Sequence, residues 1–244
     1  DYQMLGKTED INSLDYYSGD GSGSIVLSMN KVVEVQSSYD EDYLYLDFLS
    51  PKEIYDRVIV VDAGHGGRAP GAVSGDKYEK NITLAIVQQP KDPSIGVYYT
   101  RLDDSNPDFS NRVGLANNSG ADLFVSVHIN SLKGHTDVEG IEVMYDELAS
   151  DREFDTKDFA QICLDEEEKA TGAKKRRLVS GNKIYIIRNS IAPVALIEVG
   201  FMNNPRELAR LVDPAYQKKA AEGIYHALLK SLDRLDEIDK NEEN

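Results

Sequence analysis

The run Val58-Ile59-Val60-Val61 restricts the fold of this chain more than any other stretch. Four β-branched residues in succession, with no polar residue alternating between them, read as a strand buried on both faces, as in a parallel sheet covered by helices. The run opens directly into Asp62-Ala63-Gly64-His65-Gly66-Gly67. Glycine permits positive φ and close backbone approach, so the loop holds one imidazole at the strand's carboxyl end, where open α/β sheets bind ligands. Neither GxGxxG nor GxxxxGK[ST] spacing is present, which argues against a phosphate cradle. On the loop alone, two readings of His65 stay open: a metal ligand or general base, or a histidine packed in a tight turn.

Strand-like and helix-like patterns alternate downstream, with segments 96–100, 123–130, 140–145, 183–187 and 194–199 reading as further strands. Segments 79–89 (stopped by Pro90), 107–118, 156–170 and 215–232 carry apolar residues at helical spacing. This order predicts an α/β fold: a mixed, mostly parallel twisted sheet of about six strands, flanked by helices on both faces. Upstream, residues 1–23 are polar and rich in Asp, Gly and Ser, a flexible or surface-draped lead-in. Residues 24–56 form a small β-rich extension, in which Leu44, Leu46 and Phe48 alternate with Tyr43 and Tyr45 as in a half-buried strand. The main domain spans 57–232, and the charged tail 233–244 is expected to fray.

The formal charge of −16 over 244 residues speaks against nucleic acid or an anionic membrane surface as partner, and is silent about neutral substrates. Apolar runs fall far short of the ~18 residues of a membrane span. The single cysteine, Cys163, excludes an intrachain disulfide and a Cys-rich metal site; its apolar neighbours at helical spacing make it a small core residue. The sequence begins at Asp1, so a removed targeting segment stays possible.

Chemistry is to be sought among ionisable residues at strand ends. His65 follows the first strand, His128 lies in the apolar run LFVSVHIN, and Glu198 sits inside VALIEVGF. A charged carboxylate in a buried strand costs several kcal/mol unless it is paired. Glu79 opens a helix shortly after His65. Two histidines and a carboxylate make a zinc site with an open position, and a further carboxylate beside it serves as general base. The spacing fits no local motif such as HExxH. The alternative keeps Glu198 as a core residue ion-paired with Arg101 or Arg188, and His128 as a hydrogen-bonded core histidine.

Several ordered blocks go further. They are VIVVDAGHGG at 58–67, Glu79-Lys80-Asn81, Thr100-Arg101, Arg112 with Ala116-Asn117, ADLFVSVHIN at 121–130, Gly140-Ile141-Glu142 and LIEVGFMNNPRE at 196–207. Together they resemble the zinc-dependent N-acetylmuramoyl-L-alanine amidases of the type-3 amidase family, over residues 57 to about 232. The resemblance implies one zinc ion held by His65, Glu79 and His128, with Glu198 as catalytic base. It also implies hydrolysis of the amide between the lactyl group of N-acetylmuramic acid and L-alanine of the peptidoglycan stem peptide, at the cell envelope or outside the cell. Asn130 and Asn203 would then position the stem peptide or loops, and Arg188 would meet a substrate carboxylate. Glu142 would face the active end of the sheet in a supporting role. For Asn130, Asn203 and Arg188, ordinary surface or turn hydrogen bonding is the competing reading.

The chain departs from the family pattern in two places. Pro90 stops the second helix early, and no long insertion separates Tyr145 from the helix at 156, where some family members carry a regulatory helix over the zinc site. The expectation is therefore a monomer, without membrane insertion, active on peptidoglycan with no regulatory partner. Two alternatives remain: a zinc carboxypeptidase or endopeptidase acting on stem peptides, and a non-catalytic peptidoglycan-binding module.

Overall fold

In the computed structural model, residues 10–19, 21–88, 95–149 and 153–242 are described. Two antiparallel hairpins precede the main sheet. Strand β1 (Ile11–Gly19) pairs with β2 (Ser22–Met29), and β3 (Glu34–Tyr39) pairs with β4 (Leu44–Leu49). Two expectations need correction here. Ile11–Gly19 is strand rather than a draped lead-in, because Tyr16 and Tyr17 align with Ile25 and Ser24 in an antiparallel pair that runs to Gly19 opposite Ser22. Leu44 and Leu46 remain exposed on the two-stranded β3–β4 ribbon, which no second sheet layer covers among the described residues.

A short helix, α1 (Pro51–Ile54), links the hairpins to the main domain and begins with a capping box in which Ser50 and Glu53 satisfy each other's backbone donors. Strand β5 (Val58–Ala63) is buried at every position. A small ribbon, β6 (Val73–Ser74) with β7 (Lys77–Tyr78), leads into α2 (Glu79–Val87), then β8 (Gly96–Tyr99), α3 (Phe109–Asn118) and β9 (Leu123–Asn130). Strand β10 (Ile141–Tyr145), α4 (Thr156–Thr171), β11 (Lys175–Ser180), α5 (Tyr185–Asn189), β12 (Val194–Phe201), α6 (Pro205–Leu211) and α7 (Pro214–Glu242) complete the domain.

The central sheet has six strands in the order β11-β10-β12-β9-β5-β8. Only the β10–β12 pair is antiparallel. The sheet is thus mixed and mostly parallel, as the alternation of patterns predicts. Its two faces bury separate clusters. On one face Ile59, Val61, Val125, Val127, Ile197 and Val143 meet α2, α4 and α7 through residues such as Ile86, Phe159 and Ile224. On the other, Val60, Phe124, Val194 and Leu196 meet Val113 and Ala116 of α3 and Ile186 and Ile187 of α5.

The sixth strand is not the expected 183–187. That stretch forms α5, and Lys175–Ser180 takes the place in the sheet. Short apolar runs suit either a strand or one buried helical turn, and Ile186 and Ile187 reach the core only in the helical form. The basic triplet Lys175-Arg176-Arg177 conceals a strand whose exposure alternates as an edge strand's does. The expected fraying tail is helical instead: α7 continues to Glu242, with Ile238 buried and Arg57 bonded to Asp236 and Asp239. The segment at Pro90 lies outside the described residues.

Candidate metal centre

Period-two alternation along the strands builds the site. On the face that carries Val60, Phe124 and Leu196, the next positions toward the strands' carboxyl ends are Asp62, Ser126 and Glu198, followed on β9 by His128. Register then aligns a transverse row: Arg177 of β11 opposes Glu142 of β10, Glu142 opposes Glu198 of β12, and Glu198 opposes His128 of β9. Immediately after Glu198 the β12–β9 register slips, so that Phe201 aligns with Asn130. Such bulges recur beside active sites, where they re-aim a side chain and end the pairing. Buried Glu207 holds this one, accepting from the N–H of Phe201 at 2.7 Å and of Gly140 at 2.9 Å.

His65 comes from the loop after β5, and Glu79 from the first residue of α2. The helix N-terminus favours an anion there. Glu79 Oε1 stands 3.1 Å from His65 Nε2 and 3.0 Å from His128 Nδ1. The ligand atoms of all three residues lie within 4.8 Å of one another. Two nitrogen or oxygen atoms bound at about 2.0–2.1 Å to one tetrahedral centre stand roughly 3.3 Å apart, so the spacing and the donor set suit zinc. Backbone donors fix the carboxylate further: Ile129 N–H bonds to Oε1 at 2.9 Å and Ala72 N–H to Oε2 at 2.7 Å. Burial opposes its charge, but the bonds from His128 and His65 win and hold Glu79 well below the usual carboxylate range. The His128 imidazole is raised: burial works against its protonation, and the Glu79 bond with the charges of Glu198, Glu79 and Asp62 outweighs it.

Two glycines are required by close approach. A Cβ on Gly64 would stand 2.4 Å from the His128 ring, and one on Gly71 would stand 2.4 Å from Glu79 Oε2 and 2.7 Å from the His65 ring. Among the described residues His65 is the one non-glycine residue with positive φ, at 64°. Left-handed backbone at a bulky residue costs of order 1 kcal/mol or more and persists only where its surroundings enforce it. Two buried arginines do so. Arg101 donates to the carbonyls of Ala63, Gly64 and Lys80, and Arg112 donates to those of Ala63 and His65. Arg112 is itself paired with Asp62, which accepts from Ser126 Oγ at 2.6 Å and Thr100 Oγ1 at 2.5 Å. The sequence reading missed this scaffold; the signal was an acid inside an apolar strand, Asp62, with two isolated arginines downstream.

Glu198 differs from its neighbours. Its Oε2 is buried and has no hydrogen-bond partner, and neither Arg101 nor Arg188 pairs with it. Burial raises its pKa to about 7; the nearby His128 pulls it down, and the charges of Glu79 and Glu142 push it up. An uncompensated carboxyl with a raised pKa beside a ligand set has the chemistry that proton transfer requires.

The remaining predicted residues fall in different places. Glu142 is buried; its Oε1 accepts from Arg176 Nε and Arg177 Nε, each at 3.0 Å, and its Oε2 accepts from Asn130 Nδ2 at 3.0 Å. Asn203 braces the loop after β9, accepting from Leu132 N–H and donating to the carbonyls of Leu132 and Gly134. Arg188 is exposed at the end of α5, where Asn189 bonds to Asn117 near the start of β9, opposite the end that carries His128. The structure therefore brings together His65, Glu79, His128, Glu198, Glu142 and Asn130, and leaves Arg188 apart.

Fold and site define a mixed α/β protein with a His/Glu/His group and a poised carboxyl at the carboxyl edge of its sheet. The chain belongs to the N-acetylmuramoyl-L-alanine amidase family, whose pattern matches residues 59–230. It is 31% identical, over 71% of its length and 79% of the relative's, to the germination-specific N-acetylmuramoyl-L-alanine amidase of Bacillus subtilis. Among solved structures it is similar to the catalytic domain of CwlV, an amidase of Bacillus (Paenibacillus) polymyxa var. colistinus, with a TM-score of 0.65 and 35% identity over 72% of this chain and 98% of that one. An N-acetylmuramoyl-L-alanine amidase from Clostridium difficile 630 gives a TM-score of 0.67 and 33% identity over 72% and 97%.

Proposed function

We propose that this chain is a zinc-dependent amidase acting on the bond between the lactyl carbonyl of N-acetylmuramic acid and the L-alanine nitrogen of peptidoglycan. The observation that carries the reading is the sharing of Glu79 Oε1 by His65 and His128, with unpaired Glu198 next to His128 in register. His65 Nε2, Glu79 Oε1 and His128 Nδ1 would hold the ion. Bound there, zinc polarises the scissile carbonyl and acidifies water.

Glu198 takes the proton of the attacking water and returns it to the alanine nitrogen as the C–N bond breaks. One carboxyl can serve both steps because burial raises its pKa while a neighbouring zinc ion would lower it again, so that neither protonation state is far out of reach. Arg101 and Arg112 keep the His65 loop in its left-handed turn, so the ligands meet the metal with little rearrangement. The substrate places the reaction at the cell envelope or outside the cell. Among the described residues no helix is long and apolar enough to cross a membrane. We further propose that it acts as a monomer and, because the segment between Tyr145 and Thr156 is short, that it needs no activator.

Metal analysis joined to peptidoglycan digestion tests the reading. Purified protein should carry one equivalent of zinc, lose activity to a chelator and regain it with zinc. Glu198→Gln should keep the zinc and lose the activity. Full activity in protein stripped of metal would contradict it.

A further inference from the structure

The transverse row does not stop at the base. Beyond Glu198 it continues through Glu142 to Arg177, and two guanidiniums converge there on one carboxylate oxygen. The two arginines differ in how they are held. Arg176 is committed to the protein, bonded to Glu142 and to the Glu139 carbonyl and lying 5.3 Å over the Phe201 ring, with a side chain 24% exposed. Arg177 is tethered to Glu142 through Nε, and its side chain is 66% exposed. The tether fixes the direction of the guanidinium and leaves its terminal nitrogens facing solvent on the active face of the sheet. Arg176 alone already ion-pairs the buried Glu142, and an exposed pair such as that of Arg177 adds little to stability.

We propose that Arg177 is a specificity-determining residue that recognises a free carboxylate in the peptide half of the substrate. This rests on the amidase reading. Glu198 delivers its proton to the leaving amine, so the released peptide lies on the Glu198 side of the metal, toward β10 and β11. Adjacent strands are about 4.8 Å apart, which puts Arg177 roughly 10 Å from the base. An extended peptide covers that distance in two to three residues at about 3.5 Å each, and the length of the arginine side chain shortens it further. The ligand is therefore a carboxylate on the residue after the alanine, bound by a planar fork of N–H donors that a carboxamide cannot match. The glycan would then run toward β5 and β8. In a chain of net charge −16, this is a local cation on the active face of the sheet.

The test compares wild type, Arg177→Ala and Arg177→Lys on two muramyl peptides that differ only in the residue after alanine, a free carboxylate in one and a carboxamide in the other. Released peptide is quantified by mass spectrometry. Wild type should favour the carboxylate by about tenfold in kcat/KM, a difference of about 1.4 kcal/mol carried mainly by KM. Arg177→Ala should reduce that preference to below about twofold, and Arg177→Lys, a point charge without the fork, should restore part of it. Calorimetry of the free carboxylate peptide with zinc-loaded Glu198→Gln protein should show a matching loss of affinity when Arg177→Ala is added. A preference that survives Arg177→Ala in both rate and binding, or that wild type lacks, overturns the proposal. If wild type released no alanine-terminated peptide but bound the carboxylate peptide through Arg177, the amidase reading would fall and the carboxylate site would stand.

Discussion

Glu142 and Glu198 face one another across the antiparallel pair β10–β12, two carboxyls in register, only one of which is neutralised. Glu142 has two arginines and an asparagine; the Oε2 of Glu198 has no partner. Like charges at opposed positions destabilise a sheet, so the asymmetry separates the roles of the pair. The paired carboxyl is a fixed charge, and the unpaired one is the proton carrier in the proposed mechanism.

Glu142→Gln removes the facing negative charge and leaves Arg176 and Arg177 uncompensated. Both changes favour the ionised form of Glu198. The acid limb of kcat/KM against pH should shift to lower pH, while zinc content is retained. A limb that stays in place would show that Glu142 does not tune the base.

The raised pKa of Glu198 also has a sign in stability. Its folded value of about 7 lies above the ordinary 4.5, so the native state of the zinc-free protein binds more protons than the unfolded chain. This carboxyl therefore costs the fold stability progressively as pH rises from about 4.5 to about 7. Glu198→Gln should raise the melting temperature of metal-free protein at pH 8, and the gain should vanish near pH 4.5. An equal gain at both pH values would contradict the linkage.

His128→Ala and Glu79→Gln should both lower zinc to background, as measured on dialysed protein. Glu79 matters doubly, since both imidazoles meet its Oε1. Zinc should also leave as pH falls, beginning above the usual imidazole value of 6.5, because protonation of the raised His128 competes with the metal.

Arg112→Ala would strand Asp62 in the core and release the His65 carbonyl. Breaking a buried pair this way costs about 3–5 kcal/mol, or about 10 °C in melting temperature for a domain of this size. Thermal denaturation checks the magnitude, and weakened zinc binding should accompany it.

The central strands, the class of sheet and three residues of the centre, His65, His128 and Glu198, were legible because each leaves a local mark: a β-branched run, a histidine at a strand end, an acid in an apolar segment. Glu79, an acid opening a helix, stood out mainly through the family resemblance. Strand β11 was hidden by its three basic residues, and α5 by an apolar run too short to show a period. The Asp62–Arg112–Arg101 scaffold and the row from Arg177 to His128 depend on register between strands distant in sequence, which no single segment encodes. Arg188 drew attention as a cation near the Glu198 strand, yet it lies at the other end of the sheet, and Arg177 holds the corresponding place by the centre.

The most direct measurement is mass spectrometry of the soluble and insoluble products after zinc-loaded protein digests purified peptidoglycan. Peptides with a free L-alanine amino terminus, together with glycan strands bearing bare lactyl carboxylates, are the predicted products. Peptides shortened between amino acids, with the lactyl–alanine bond intact, would contradict the assignment and favour a peptidase.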